Sequence, residues 1–136
     1  MEETKKNENT QVQPAAQADP VAAANQFSSG TLTLIDPIRD GQRTVTELHY
    51  DFCRLTGWEY ADAMDSDREG DKNAFRLTNR QALALFAAAA AKQTEGLDVT
   101  DIKQRLSIRD AIKAAQIATV FFVASSRAGN ERITNS

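Results

Sequence analysis

The chain has 136 residues, of which 26% are charged and 41% apolar, with a net charge of −3. This is the size of one domain with room for a tail, in ordinary globular proportions. The acidic balance argues against a general nucleic-acid binder, which carries a basic excess for phosphates, and against docking on an anionic membrane.

The single cysteine, Cys53, cannot form an intrachain disulfide, so a reducing compartment is expected. The opening MEETKKNENT lacks the apolar core of a secretory signal. The longest apolar runs, Ala82–Ala91 and Ile117–Ala124, fall well short of the roughly 20 residues of a membrane span. A cytoplasmic protein with no membrane partner is therefore expected.

Residues 1–30 are rich in Gln, Asn, Glu, Ala and Pro, with Phe27 the one aromatic. Such a stretch buries too little apolar surface to offset the entropy of ordering, and a disordered tail is expected, with at most a transient turn at Val21–Asn25. The folded domain is expected over 31–127. TLTLI alternates with period two, placing Leu32 and Leu34 on one face of a strand. Pro37 limits ladder pairing, and Asp40-Gly41 is a turn signal. The run from Arg43 to Phe52 reads as a second strand with Leu48, Tyr50 and Phe52 inward and Val45, Glu47, His49 and Asp51 outward. Two strands alone are marginal in water, so the inner face of this antiparallel hairpin must pack on helices.

Four helix starts follow with one grammar: a leucine, a short polar cap residue, and an acid or amide three positions later. They are LTGWE, LTNRQ, LDVTD and LSIRD, beginning at Leu55, Leu77, Leu97 and Leu106. The cap oxygen takes an orphan backbone N–H and the later side chain reaches back to the cap's own N–H. These starts predict helices over Gly57–Met64, Asn79–Gln93, Val99–Arg105 and Ile108–Ser126. On the first, Trp58, Ala61 and Met64 share a face. The second is alanine-rich, which favours helix and leaves a smooth surface for close packing. Residues 128–136 read as a frayed tail. The fold class is α+β and mainly helical: an N-terminal hairpin packed on about four helices.

No catalytic pattern is present. Asp65–Asp71 begins like a calcium loop, but position eight is Lys72 and position twelve is Arg76 instead of the bidentate Glu, so a solvated loop is the expectation. His49 and Cys53 supply two ligand types where zinc needs about four, and nothing marks a third group to orient a catalytic pair. Asp98, Asp101 and Asp110 are explained as caps. No enzyme, metal or cofactor is expected. What remains is apolar helix surface. On the last helix Ile108, Ala111, Ile112, Ala115, Ala118, Thr119 and Phe122 are expected to face the core. Ile117, Val120, Phe121 and Val123 form a second apolar side that one hairpin struggles to cover. A domain of this size leaves much surface in water, and an exposed apolar patch marks a partner or self-association surface.

From Thr31 to about Ser126 the pattern resembles the phage tail assembly chaperones of long-tailed phages. The carriers are the strand TLTLIDPI, the segment TELHYDFCRLTG, and the closing LDVTDIKQRLSIRDAIKAAQIATVFF with its aromatic-rich final helix. The resemblance implies a non-enzymatic protein that binds the apolar, helical tape measure protein and keeps it soluble while the tail tube assembles. It implies action in the host cytoplasm and absence from the mature virion, and in some members a longer frameshifted form. The tail tube protein and a second copy of the chain are further partners it suggests. On this reading Ile117, Val120, Phe121, Phe122 and Val123, joined by Leu85 and Phe86, form the binding surface. A small structural tail or connector protein of the virion is the alternative.

Overall fold

The computed structural model describes residues 20–67 and 76–135, with side chains as far as Ala128. In chain order the elements are α1 (Pro20–Gln26), β1 (Ser29–Asp40), β2 (Arg43–Asp51), a 3₁₀ turn (Phe52–Arg54), α2 (Gly57–Met64), α3 (Asn79–Ala91), α4 (Val99–Arg105) and α5 (Ile108–Asn135). The fold is α+β and mainly helical, with one antiparallel hairpin and five helices among the described residues. α3 sits at the centre, packed against α2, α4, α5 and β2.

The helix starts form as their sequences dictate. Thr56 and Glu59 exchange side-chain and backbone bonds at 3.2 and 2.8 Å, Thr78 and Gln81 at 3.1 and 3.0 Å, and Asp98 and Asp101 at 2.8 and 3.1 Å. Each box satisfies two donors that a helix end would otherwise leave orphaned, stabilising its helix by about 1 kcal/mol. Gln81 does more: it is buried, and its amide donates to the Met64 carbonyl at 3.0 Å, tying α3 to the end of α2. After α3, Gly96 takes φ +93°, which a side chain would strain, and an added Cβ would lie 2.7 Å from the Arg43 guanidinium.

The alanine run of α3 is almost wholly buried, from Ala84 to Ala90, with Phe86 at 0% exposure. Small side chains let α2, α4 and α5 approach this helix on several sides. The hairpin turns at Gly41, whose φ of 65° fits the two-residue turn between paired Asp40 and Arg43.

The hairpin ladder is interrupted in β1. Thr33 pairs with Glu47 and Ile38 with Val45, so four residues, Leu34 to Pro37, stand opposite Thr46 alone. The expected inner face of Leu32, Leu34, Leu48, Tyr50 and Phe52 is found, with Tyr50 half-buried. Val45, expected outside, is buried beside Ile38, because the bulge changes which residues face the core beyond it.

The bulge leaves two backbone donors without ladder partners, and α5 supplies the acceptor. Asp110 is 1% exposed. Its Oδ1 accepts from the Ile35 N–H at 2.8 Å and its Oδ2 from the Asp36 N–H at 2.9 Å. Ser107 caps α5 by accepting from the Asp110 N–H, and its hydroxyl donates to Oδ2, both at 3.2 Å. The fourth cap is thus present, but its carboxylate is turned to β1 and joins two elements 75 residues apart. Beside it, Arg109 grips Asp36 with two bonds, at 2.8 and 3.2 Å.

Three further differences from the sequence expectations have simple causes. The stretch expected to be a disordered tail contains α1, which begins with Pro at a position where its fixed φ suits a helix and packs on α5. α5 runs to Asn135 rather than Ser126, since its one later glycine tolerates a helix interior. On α2 the buried residue is Ala63; of the face shared by Trp58, Ala61 and Met64, Met64 packs half-buried on the core while Trp58, at 81% exposure, stands in solvent. The segment weighed as a calcium loop continues past Asp67 into residues outside the described set.

Asp110→Ala is expected to lower unfolding free energy by roughly 2 to 3 kcal/mol in urea titration, because it leaves two part-buried N–H groups without their acceptor. Asp110→Asn, which keeps an acceptor, should lose less. Arg109, through its hydrogen bonds to Asp36, holds that carboxyl below its ordinary 3.8, and Ser107 adds to the effect. The stabilisation from Asp36 is complete above 3.8 and is lost as the pH falls through the lower folded value. Arg109→Ala should therefore move the Asp36 titration upward toward 3.8, as read by carboxyl NMR.

Candidate functional site

α5 shows the site best through its own periodicity. Asp110, Ala114 and Ala118 are buried on one stripe, with Ile117 and Phe121 half-buried against the core beside them. Small residues at Ala114 and Ala118 set α5 close to its neighbours. The opposite flank carries Ile108 at 76% exposure and Ile112 at 56%. Of the residues expected to face the core, Ala118 is buried and Ala115 packs half-buried against it, but Ile108 and Ile112 do not, and with Ala111, Ala115 and Thr119 they line an open groove. The physical reason is the buried Asp110: once its carboxylate is fixed on β1, the helix is rotated so that Ile108 and Ile112 point away.

This groove lies between α3 and α5 and encloses about 520 Å³. Leu83, Ile108, Ala111, Ile112, Ala115 and Val120 supply its apolar lining, and Asn79, Gln116 and Thr119 its polar atoms. No charged side chain lines it. Ile108, Ile112, Ala115, Thr119 and Phe122 recur at alternating intervals of four and three residues, the spacing by which one helix meets another along a seam.

The residues picked out from the sequence are spread over more than this groove. Val120 is exposed and lines it. Ile117 and Val120 border a smaller recess, about 270 Å³, at the end of α1, with Gln26, Phe27, Tyr50 and Lys113. Burial raises the Tyr50 hydroxyl above its ordinary value. Phe121 stacks on Phe52 with ring centroids 4.6 Å apart and 11° between planes, so it chiefly holds α5 to the 3₁₀ turn. Phe121 and Phe122 line an aromatic cup of about 360 Å³ with Phe52, Leu55, Tyr60 and Leu85. Val123 is half-buried and lines none of these three recesses.

Leu85 and Phe86 are corrected by the structure as surface residues. Phe86 is fully enclosed, its ring 5.3 Å from that of Tyr50, and can touch no partner in this state. Leu85 is 3% exposed and reaches only the floor of the aromatic cup. The central position of α3 accounts for both. Sequence reasoning missed Leu83, Ile108 and Ile112. The usable signal was Asp110 itself: a carboxylate that takes backbone donors from β1 fixes the inward direction of the helix.

A further recess, about 650 Å³, lies among α2, α3 and α4. Its walls mix Glu59, Asp62, Glu95, Asp98 and Asp101 with Lys92 and Lys103. Asp98 and Asp101 are occupied as caps, and Glu59 is held below its ordinary value by the Thr56 N–H and by Lys92 at 3.0 Å. His49 bonds to Thr31 at 2.9 Å and lies 3.3 Å from Glu47, on the exposed face of the hairpin. Cys53 is exposed, and its N–H donates to Asp51. Among the described residues no cluster of three or more His, Cys, Asp or Glu is placed to hold a metal ion, and no helix is long and apolar enough to cross a membrane.

Ile112→Asp is expected to change unfolding free energy by no more than about 0.5 kcal/mol, as befits an exposed position. Phe86→Ala should cost about 3 to 5 kcal/mol. Chemical denaturation of the two variants distinguishes groove from core. Compared with protein-family models, with characterised proteins and with solved structures, the chain finds no match.

Proposed function

We propose that this protein is a non-enzymatic binding module that receives an apolar helix of a partner in the α3/α5 groove. The observation that carries the reading is the uncharged, apolar groove beside Ile108 and Ile112, open along a helix edge with four–three spacing. A helix laid there would bury its own apolar stripe against these side chains, the helix-in-groove mode of recognition. Small residues on the floor, Ala111 and Ala115, let the partner backbone come close, while Leu83, Ile108 and Val120 stand beside them.

Joined to the sequence resemblance, this surface supports the reading of a phage tail assembly chaperone whose client is the tape measure protein. Such a client is long, helical and apolar, and it needs a soluble partner that covers it until the tube surrounds it. The chaperone would act in the host cytoplasm and leave before the virion is complete. A small tail or connector protein, the alternative reading, would remain in the particle.

Co-expression with the tape measure protein of the same phage tests this. Wild-type chain should co-purify with it, and Ile112→Asp or Ile108→Asp should reduce the captured client at least tenfold while circular dichroism and melting stay unchanged. Undiminished capture by both variants would remove the groove from the binding surface. Mass spectrometry of purified particles should find no copy of the chain.

A further inference from the structure

The recess at the end of α1 has a property that the groove alone does not explain. α1 has seven residues, PVAAANQ, too few for a helix to persist by itself in water. Its main tertiary neighbour is α5. Its one buried residue, Ala24, lies outside the main hydrophobic core, as does Ala128 on α5. The core closes without α1.

α1 is joined to the hairpin through a fixed pivot. Ser28 donates both its N–H and its hydroxyl to the Asn25 carbonyl, at 3.2 and 2.9 Å. The Ser28 carbonyl in turn accepts from the Phe52 N–H at 2.8 Å. α1 packs on α5, and its last residue, Gln26, with Phe27 just after it, borders the recess that Ile117 and Val120 line from α5. Gln116 and Val120 border both the recess at the end of α1 and the α3/α5 groove, so the two surfaces meet at those residues.

We propose that α1 is a displaceable strap on α5, its end flanking the Ile117–Val120 recess, and that it lifts away when a partner helix takes the joined surface. α1 is itself a short, small-residue apolar helix, the same chemistry as the partner it would give way to. Its weak independent stability makes release easy, and the Ser28 pivot leaves β1 and β2 in place when it goes. The strap follows from the geometry of α1; the identity of the partner rests on the function proposed above.

The test uses the full chain with Ala24→Asp, which places a charge in the α1–α5 contact, and Ala22→Asp as the exposed control. The probe is the dye 1-anilinonaphthalene-8-sulfonate, together with amide hydrogen exchange. Ala24→Asp is expected to raise dye fluorescence several-fold and strip protection from Val21–Gln26, while β2 and α3 amides keep theirs. Equal dye fluorescence in the two variants would overturn the strap. So would lost protection through β2 and α3, which would make α1 part of the core. In co-expression, Ala24→Asp should capture more tape measure protein than wild type. Unchanged or reduced capture with raised dye binding would overturn the competition. If neither chain captures that client, the tape measure reading fails, and the dye and exchange results still decide whether α1 is a strap.

Discussion

The carboxylate of Asp110 is the constraint on which the arrangement of this domain depends. A β-bulge opens four residues of β1 against one of β2, and Pro37 within it has no N–H to offer. Ile35 and Asp36 therefore hold donors that the ladder cannot use. Water cannot serve them well at a half-covered site, and an unsatisfied donor costs as much as several apolar contacts return. One side chain, reaching from the first turn of α5, accepts from both. That bond fixes where α5 begins and how it is rotated about its axis. Rotation then decides which apolar residues are core and which are groove.

The rest of the helical layer follows from more local physics, and it was legible in the sequence. Thr56, Thr78 and Asp98 each announce a helix with a partner three residues on, and the boxes form with bond lengths near 3 Å. Period two in TLTLI and an Asp-Gly turn were enough for the hairpin. Caps, turns and periodicity are short-range, so a linear reading reaches them. Burial of Val45 was not legible, because the bulge is a property of how the two strands pair, which the alternation within either strand does not show. α1 was hidden for a related reason: its composition alone cannot fold, and only the face of α5 gives Ala24 somewhere to be buried.

The candidate site was half legible for the same cause. That the last helix carries more apolar surface than the hairpin can hide follows from counting its residues. Which side is left over does not, because apolar residues occur all round the helix and periodicity offers no preferred phase. Ile117 and Phe121 turned inward and Ile108 and Ile112 outward. The polar residue decided: Asp110 read as a cap is a local feature, but a cap acid buried to 1% exposure is also an anchor. A lone acid at the third position of an otherwise apolar stripe is thus a better guide to helix phase than the apolar residues around it.

An open apolar groove carries a risk for a protein that must stay dissolved, since the same surface that takes a partner also takes a second copy. Two features moderate that risk here. The groove interior is built on small side chains, Ala111 and Ala115, so the apolar area exposed at its floor is modest. The continuation of the surface, around Ile117, is partly roofed where the end of α1 borders it. A roof of alanines held at Ser28 gives up little favourable burial when it leaves, because each alanine covers little area. A bulkier α1 would protect the surface better and release it less readily. The sequence PVAAANQ sits on the releasable side of that balance, and the rigid α3–β2 core beneath keeps the groove in shape whether the roof is on or off.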